Sequence, residues 1–380
     1  MQVNSSNNIY STIQSRLSEI KLFDHNTEHN LDLYCYTECS NDSDEFLKNC
    51  RGLVFEGDNL VLKGFPFTDE FHCGEKEKFE DTISGNFNEW KFFESHEGTL
   101  LRLFYHSGRW FLSTYKKLDA FKSKWSSNKS FGDLFIEALE HETKRSNYFN
   151  EKMGSGEDET LEKFKKCLDE KKQYMFLLKN TAENRIVSDT PTADEAHMFH
   201  VGTYENHNLV VDNSLMSKPV ELIFETFEEL LKYVDNDVNY KKTQGVLCSG
   251  PNGKQIKLLN STYKNMSLVR GNTPSIKFRY FQIRQDPDMV ATLKELYPNY
   301  TNYFNESEEK LNLVAKKIFK AYVDRFIKKL YVVVPPDEYR IVSECHGWHI
   351  VDRGQNKVTL DRVRQVLNRQ QPFSLFKLAK

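Results

Sequence analysis

The chain has 380 residues, a formal charge of −3, 39% hydrophobic and 28% charged residues, which is ordinary for a globular protein large enough to bury a core without disulfide staples. Near-neutral charge excludes a global attraction to nucleic acid, so any basic surface must be local. No apolar run approaches the roughly 18 residues of a membrane span, Met1–Asn8 lack a signal peptide's apolar core, and seven scattered cysteines fit a reducing compartment; the expectation is a cytoplasmic protein of about two or three domains with no membrane partner.

In chain order, Ile9, Ile13, Leu17 and Ile20 have helical spacing and predict a helix over 9–20. From Leu31 to Phe71 the texture is strand-like, with turns at Asn41-Asp42 and Gly57-Asp58-Asn59. A hairpin is expected over 100–115, turning at Ser107-Gly108. Residues 130–172 read as helical at both ends, around Phe135–Leu139 and Leu161–Leu168, with Gly154-Ser155-Gly156-Glu157-Asp158 as a flexible excursion between them. Strands are predicted at Tyr174–Leu178, Arg185–Val187, Gly245–Cys248 and Gln255–Leu259, and a helix at Glu225–Tyr233.

Beyond about Arg284 helical periodicity dominates, most clearly in Leu311, Val314, Ile318, Tyr322, Phe326 and Leu330, until Pro335-Pro336 breaks it; another helix begins at Asp361. The expected division is therefore 1–284 and 285–380. From Lys316 onward there are 14 Lys+Arg against 6 Asp+Glu. Such a run is commonly a solvated face, but Arg325, Lys328, Lys329, Arg362 and Arg364 interleave with Tyr322, Tyr331, Trp348 and Phe373, which points to an RNA-contacting surface. Neither Cys35, Cys39, Cys50 and Cys73 nor Cys345-His346-x-x-His349 matches a common zinc module, so no metal site is expected.

Chemistry concentrates in six separated segments. These are Arg51-Gly52-Leu53-Val54-Phe55-Glu56 with Lys63–Phe71; Glu94-Ser95-His96-Glu97-Gly98-Thr99; Ser113-Thr114-Tyr115-Lys116-Lys117; Phe176–Val187; Thr243-Gln244-Gly245-Val246-Leu247; and Gln255-Ile256-Lys257, with Tyr263 following. In order and spacing they resemble the phage RNA ligase 1 family, whose nucleotide motif is Lys-x-Asp-Gly-Ser. The resemblance covers most of residues 45–285. It implies an α+β fold, with a ligase-like nucleotidyltransferase domain of antiparallel sheets followed by a helical domain.

Covalent nucleotidyl transfer needs a lysine nucleophile, carboxylates that hold metal, and further cations at the phosphates. Aligned on the family, Ser95 replaces the lysine, Leu178 and Gln244 replace two carboxylates, and Gln255 replaces the first lysine of Lys-x-Lys. Leucine cannot ligate a cation and glutamine is a far poorer Mg²⁺ ligand than a carboxylate. The resemblance implies nucleotide contacts from Arg51, Glu94, Ser95, Glu97, Gly98, Lys116, Gln244, Gln255 and Lys257, with no residue assigned as catalytic. The leading expectation is a ligase-like protein that has lost adenylylation and binds a nucleotide or RNA end, with no cofactor. The alternative is an active ligase using ATP and Mg²⁺ with a displaced lysine, Lys91 or Lys116. Lys91 lies about 13 Å from Ser95 along an extended strand, and His96 falls on the opposite face, poorly placed as a base for Ser95. A third reading is a non-catalytic interaction scaffold. Ser95, Glu97, Gln244 and Lys257 are expected around one cleft.

Overall fold

The computed structural model describes residues 3–83, 87–145, 159–210 and 215–380; the expected excursion at Gly154–Asp158 lies outside them. The chain divides into two compact units, Met1–Asn265 and Met266–Lys380.

In chain order, the strands of the first unit are β1 (Ile20–Asn26), β2 (Leu31–Tyr36), β3 (Leu53–Glu56), β4 (Asn59–Leu62), β5 (Asp69–His72), β6 (Lys91–Ser95) and β7 (Gly98–His106). They continue as β8 (Arg109–Ser113), β9 (Lys172–Lys179), β10 (Met198–Glu205), β11 (Asn208–Val210), β12 (Glu221–Leu222), β13 (Gly245–Ser249) and β14 (Gln255–Leu259). They form three sheets, ordered β1-β2-β3-β4, β11-β10-β9-β7-β8 and β12-β6-β13-β14-β5. Pairing is antiparallel except between β14 and β5, which run parallel with Lys257 opposite Glu70. The architecture is α+β, as the sequence implied.

The opening helix begins and ends earlier in the chain than its apolar spacing predicts. It runs Val3–Ser15, and Ile20 already begins β1, opposite Tyr36. Ile13 and Ile20 are both buried there with Tyr34, Leu53 and Phe55. The expected hairpin is present as β7 and β8, and Ser107 and Gly108 adopt φ of 49° and 80°. Two consecutive positive φ values are the two-residue turn whose twist matches antiparallel strands.

Two layers of apolar side chains hold the site's sheets. Helix Phe131–Arg145 and helix Thr160–Lys166 pack Phe135, Leu139 and Phe164 against Leu101, Tyr174 and Phe176 of the second sheet. Helix Lys76–Ile83 and helix Phe227–Lys232 bury Phe79 and Leu230 against Phe92, Val246, Ile256 and Leu258 of the third. Each large side chain so buried contributes about 1.5–3 kcal/mol relative to exposure.

Arg185–Val187 is not a strand. The backbone N–H groups of Ile186 and Val187 have a different acceptor, described below, so they are not available to a sheet ladder. The second unit is helical, with the long helix Thr301–Tyr322 against helices Pro336–Val351 and Leu360–Asn368. Its first contacts precede Arg284: Tyr280 stacks on Phe304 at 4.5 Å, and Phe278 and Phe281 meet Phe376. Helix Ile276–Ile283 therefore belongs with the C-terminal helices, and the division falls earlier in the chain than the helical periodicity indicated.

Candidate functional site

Strand alternation builds the site. Along β6, Lys91, Phe93 and Ser95 share one face, while Phe92 points to the core on the other. Register places Ser95 opposite Gly245, Phe93 opposite Leu247 and Lys91 opposite Ser249. On the next strand Leu247 faces Lys257 and Ser249 faces Gln255. One face of the third sheet thus presents Ser95, Leu247, Gln255 and Lys257. They line a pocket of about 140 Å³ together with Arg51, Phe65, Glu94, Gly98 and Gln244.

Two close backbone approaches occur at this site, one at Gly98 in the pocket lining and one at Gly245 beside Gln244. Gly245 has φ of +146°, and a Cβ there would come within 2.1 Å of the Leu258 carbonyl oxygen. Gly98 lies so close to β9 that a Cβ would sit 2.4 Å from the Leu178 carbonyl oxygen. At both positions only glycine lets the backbones meet at this distance.

Within the pocket two of the four altered positions, Ser95 and Gln244, bond to each other. Ser95 Oγ donates to Gln244 Oε1 at 3.0 Å, and Gln244 Nε2 donates to the Tyr263 hydroxyl at 2.7 Å. Burial, with the charge of Glu97 beside it, holds the Tyr263 phenol well above its usual range, so it stays protonated. Leu178 is buried in the apolar cluster of the second sheet. Lys257 Nζ lies 3.3 Å from Glu70 Oε1, across the parallel pair.

Glu97 does not line the pocket. It is 4% exposed, and its carboxylate accepts the backbone N–H groups of Val187 at 2.7 Å, Ser188 at 2.9 Å and Ile186 at 3.3 Å, plus Asn180 Nδ2 at 3.1 Å. This is where the supposed strand 185–187 sends its donors. Arg185 folds back on the same loop, giving its Nη2 hydrogen to the Val187 carbonyl at 2.9 Å. Glu97 is therefore a buried loop anchor that lies outside the pocket lining but beside Tyr263, the partner of Gln244.

Arg51 lines the pocket, donates to the Pro66 carbonyl at 3.0 Å and stacks on Tyr115 at 5.3 Å. Lys116 is not in the pocket lining; its amine sits 4.7 Å over the Phe23 ring. Lys91 is exposed and lines a neighbouring recess instead. His96 Nε2 lies 3.3 Å from Glu94, and its ring packs on Phe199 at 4.8 Å.

Sequence reading missed Arg102, which is 1% exposed. It donates to the Gly52 carbonyl and, at 2.5 Å, to the Thr114 carbonyl, tying the turn after Arg51 to the loop that carries Tyr115 and Lys116. Burial lowers its pKa to about 9. Its signal was a lone arginine in the strand Leu100–Tyr105, where both faces are buried and a cation must find carbonyls. Lys179 was also missed. It lies opposite Gly98 with its amine 5.7 Å over Phe199, and burial lowers its pKa.

The five basic candidates of the second unit occupy two separate segments. Arg325 lies in the turn Val323–Ile327 and packs 5.1 Å from the Tyr339 ring; Lys328 and Lys329 follow that turn. Lys328 pairs with Asp324 at 2.9 Å, and Lys329 has φ of 60°, so the helical spacing read from sequence stops before them. Arg362 and Arg364 are on helix Leu360–Asn368; Arg362 stacks 4.2 Å from Trp348, and Arg364 pairs with Asp361 at 2.8 Å. Both segments contact one helix, Pro336–Val351, through Tyr339 and Trp348. His346 of that helix stacks on Phe326 at 3.8 Å.

No helix among the described residues is long and apolar enough to cross a membrane. No family profile matches the sequence. A structural comparison aligns 78% of the chain with 75% of a putative ATP-dependent DNA ligase from Aquifex aeolicus, at 10% identity and a TM-score of 0.41. The sequence is 30% identical over 318 residues to the immediate-early protein ICP-46 homolog of Invertebrate iridescent virus 6, covering 78% of this chain and 67% of that protein. The homolog from Invertebrate iridescent virus 3 is 26% identical, with 89% and 74% covered, and immediate-early protein ICP-46 of Frog virus 3 is 24% identical, with 72% and 69% covered. The chain belongs to the immediate-early protein ICP-46 family.

Proposed function

We propose that the first unit is an RNA ligase-like nucleotidyltransferase scaffold that binds a nucleotide or a phosphorylated RNA end around Ser95 and forms no covalent nucleotide adduct. The hydrogen bond from Ser95 to Gln244, continued to Tyr263, carries this reading. At the positions where the resemblance calls for a lysine nucleophile and a metal-binding carboxylate stand two neutral side chains satisfied by each other. Neither has a charge to offer a phosphate or a divalent cation. Arg51 and Lys257 remain as the cations of the pocket.

Incubation with α-labelled ATP or GTP and Mg²⁺ or Mn²⁺, followed by a denaturing gel, tests it. The expected result is no retained label, alongside reversible nucleotide or RNA-end binding by calorimetry. A labelled adduct mapping to Lys91 or Lys116 overturns the reading in favour of an active ligase with ATP and Mg²⁺.

For the second unit the proposal is an RNA-contacting surface formed by Lys328 and Lys329 together with Arg325, Arg362 and Arg364. The exposure of Lys328 and Lys329 and the convergence of both basic segments on helix Pro336–Val351 support it. A cytoplasmic location is likewise proposed, supported by a cysteine set that is odd in number and scattered along the sequence.

A further inference from the structure

We propose that the Ser95 pocket is one of two adjoining subsites for the end of a single-stranded nucleic acid, the second lying between Lys91 and Lys218. This rests on the nucleotide or RNA-end reading above and specifies its ligand. The pocket's 140 Å³ is well below the roughly 300–1,000 Å³ of sites that enclose a ligand of nucleotide size. A second recess of about 250 Å³ shares Phe65, Val201, Pro219, Leu247 and Gln255 with it, so the two are continuous.

The second recess has the composition of a single-strand platform. Phe93 and Leu209 supply apolar surface, and Lys91 and Lys218 are exposed at its rim, against Glu221 as the lining carboxylate. Aromatic faces take bases regardless of sequence, and flanking lysines take the phosphates between them. Geometry sets the order. Lys91 lies about 13 Å along β6 from Ser95 and on the same strand face, so it faces the part of a strand that runs on from a phosphate placed between Arg51 and Lys257. The terminal 5′-phosphate occupies the Ser95 pocket, and the next nucleotide lies over Phe93 and Leu209.

Calorimetry on the full chain with AMP, ATP and 5′-phosphorylated diadenylate, in ribose and deoxyribose forms, tests this. A diadenylate of at least one sugar should bind about tenfold more tightly than AMP, the gain of one stacked base. Lys218→Glu, at an exposed position, should erase that gain. Equal affinity for AMP and both diadenylates overturns the second subsite while leaving the nucleotide reading intact. ATP binding as tightly as either diadenylate also overturns it, as does a gain that survives Lys218→Glu. Absence of binding by every ligand removes the nucleotide reading and this inference together.

Discussion

The Glu97 carboxylate accepts the Val187 backbone N–H at 2.7 Å, linking the turn after β6 to a loop ninety residues later. Glu97→Gln keeps the shape but turns an NH₂ group toward backbone donors. Losing charge-assisted bonds while leaving buried N–H groups unpaired should cost about 2–3 kcal/mol, measured by urea denaturation. Wild-type stability with lost nucleotide affinity would instead place Glu97 in the ligand site.

Arg102 holds two buried carbonyls, those of Gly52 and Thr114. Arg102→Met fills similar volume but leaves both without donors, which should cost about 2–4 kcal/mol. The same change releases the platform under Arg51, so phosphate-dependent binding should fall in protein that remains folded. Thermal melts paired with calorimetry separate the two effects.

Ser95→Lys alone should yield no adduct with labelled ATP and Mn²⁺. Gln244 and the buried Leu178 still provide no carboxylate for the metal. Label retained at the substituted position would mean that other groups hold the cation.

His197 stacks on His141 at 3.7 Å, and burial depresses its pKa below the usual histidine value. A lowered folded-state pKa makes the native protein bind fewer protons than the unfolded chain. Its stability contribution is therefore present above about pH 6.5 and lost as pH falls through the folded value. The melting temperature should decline between about pH 7 and pH 5, and His197→Phe, which keeps a ring there without the proton site, should flatten that decline.

Reversing Lys328 and Lys329 to Glu should weaken RNA binding by a similar factor across sequences and reduce the slope of log affinity against log salt by about 2. Electrophoretic shifts at two salt concentrations read this directly. An unchanged slope would remove the turn after Val323–Ile327 from the RNA surface.

Local features were legible in the sequence and distant ones were not. The Ser107-Gly108 turn could be read because its determinants lie within the turn itself. The segments bearing Arg51, Ser95, Gln244 and Lys257 could be placed at one pocket because their motifs have a recognisable order. Arg185–Val187 misled because its apolar residues look like a strand, while its donors are claimed by Glu97, which no local pattern reveals. Leu17 and Ile20 extended a helical pattern past Ser15 because spacing alone does not show that Ile20 pairs with Tyr36. Lys116 matched a motif position, yet its amine went to an aromatic ring contributed by β1.

The parallel pairing of β5 with β14 joins residues 187 positions apart, Lys257 and Glu70. A ribosome must therefore deliver nearly the whole first unit before Lys257 can find its neighbour. Contacts this distant close late, since long loops must be ordered before any pairing rewards them. Nascent or truncated chains ending before Gln255 would carry the Ser95 segment without its completing strand, leaving the face of β13 that β14 covers as an unpaired edge open to association.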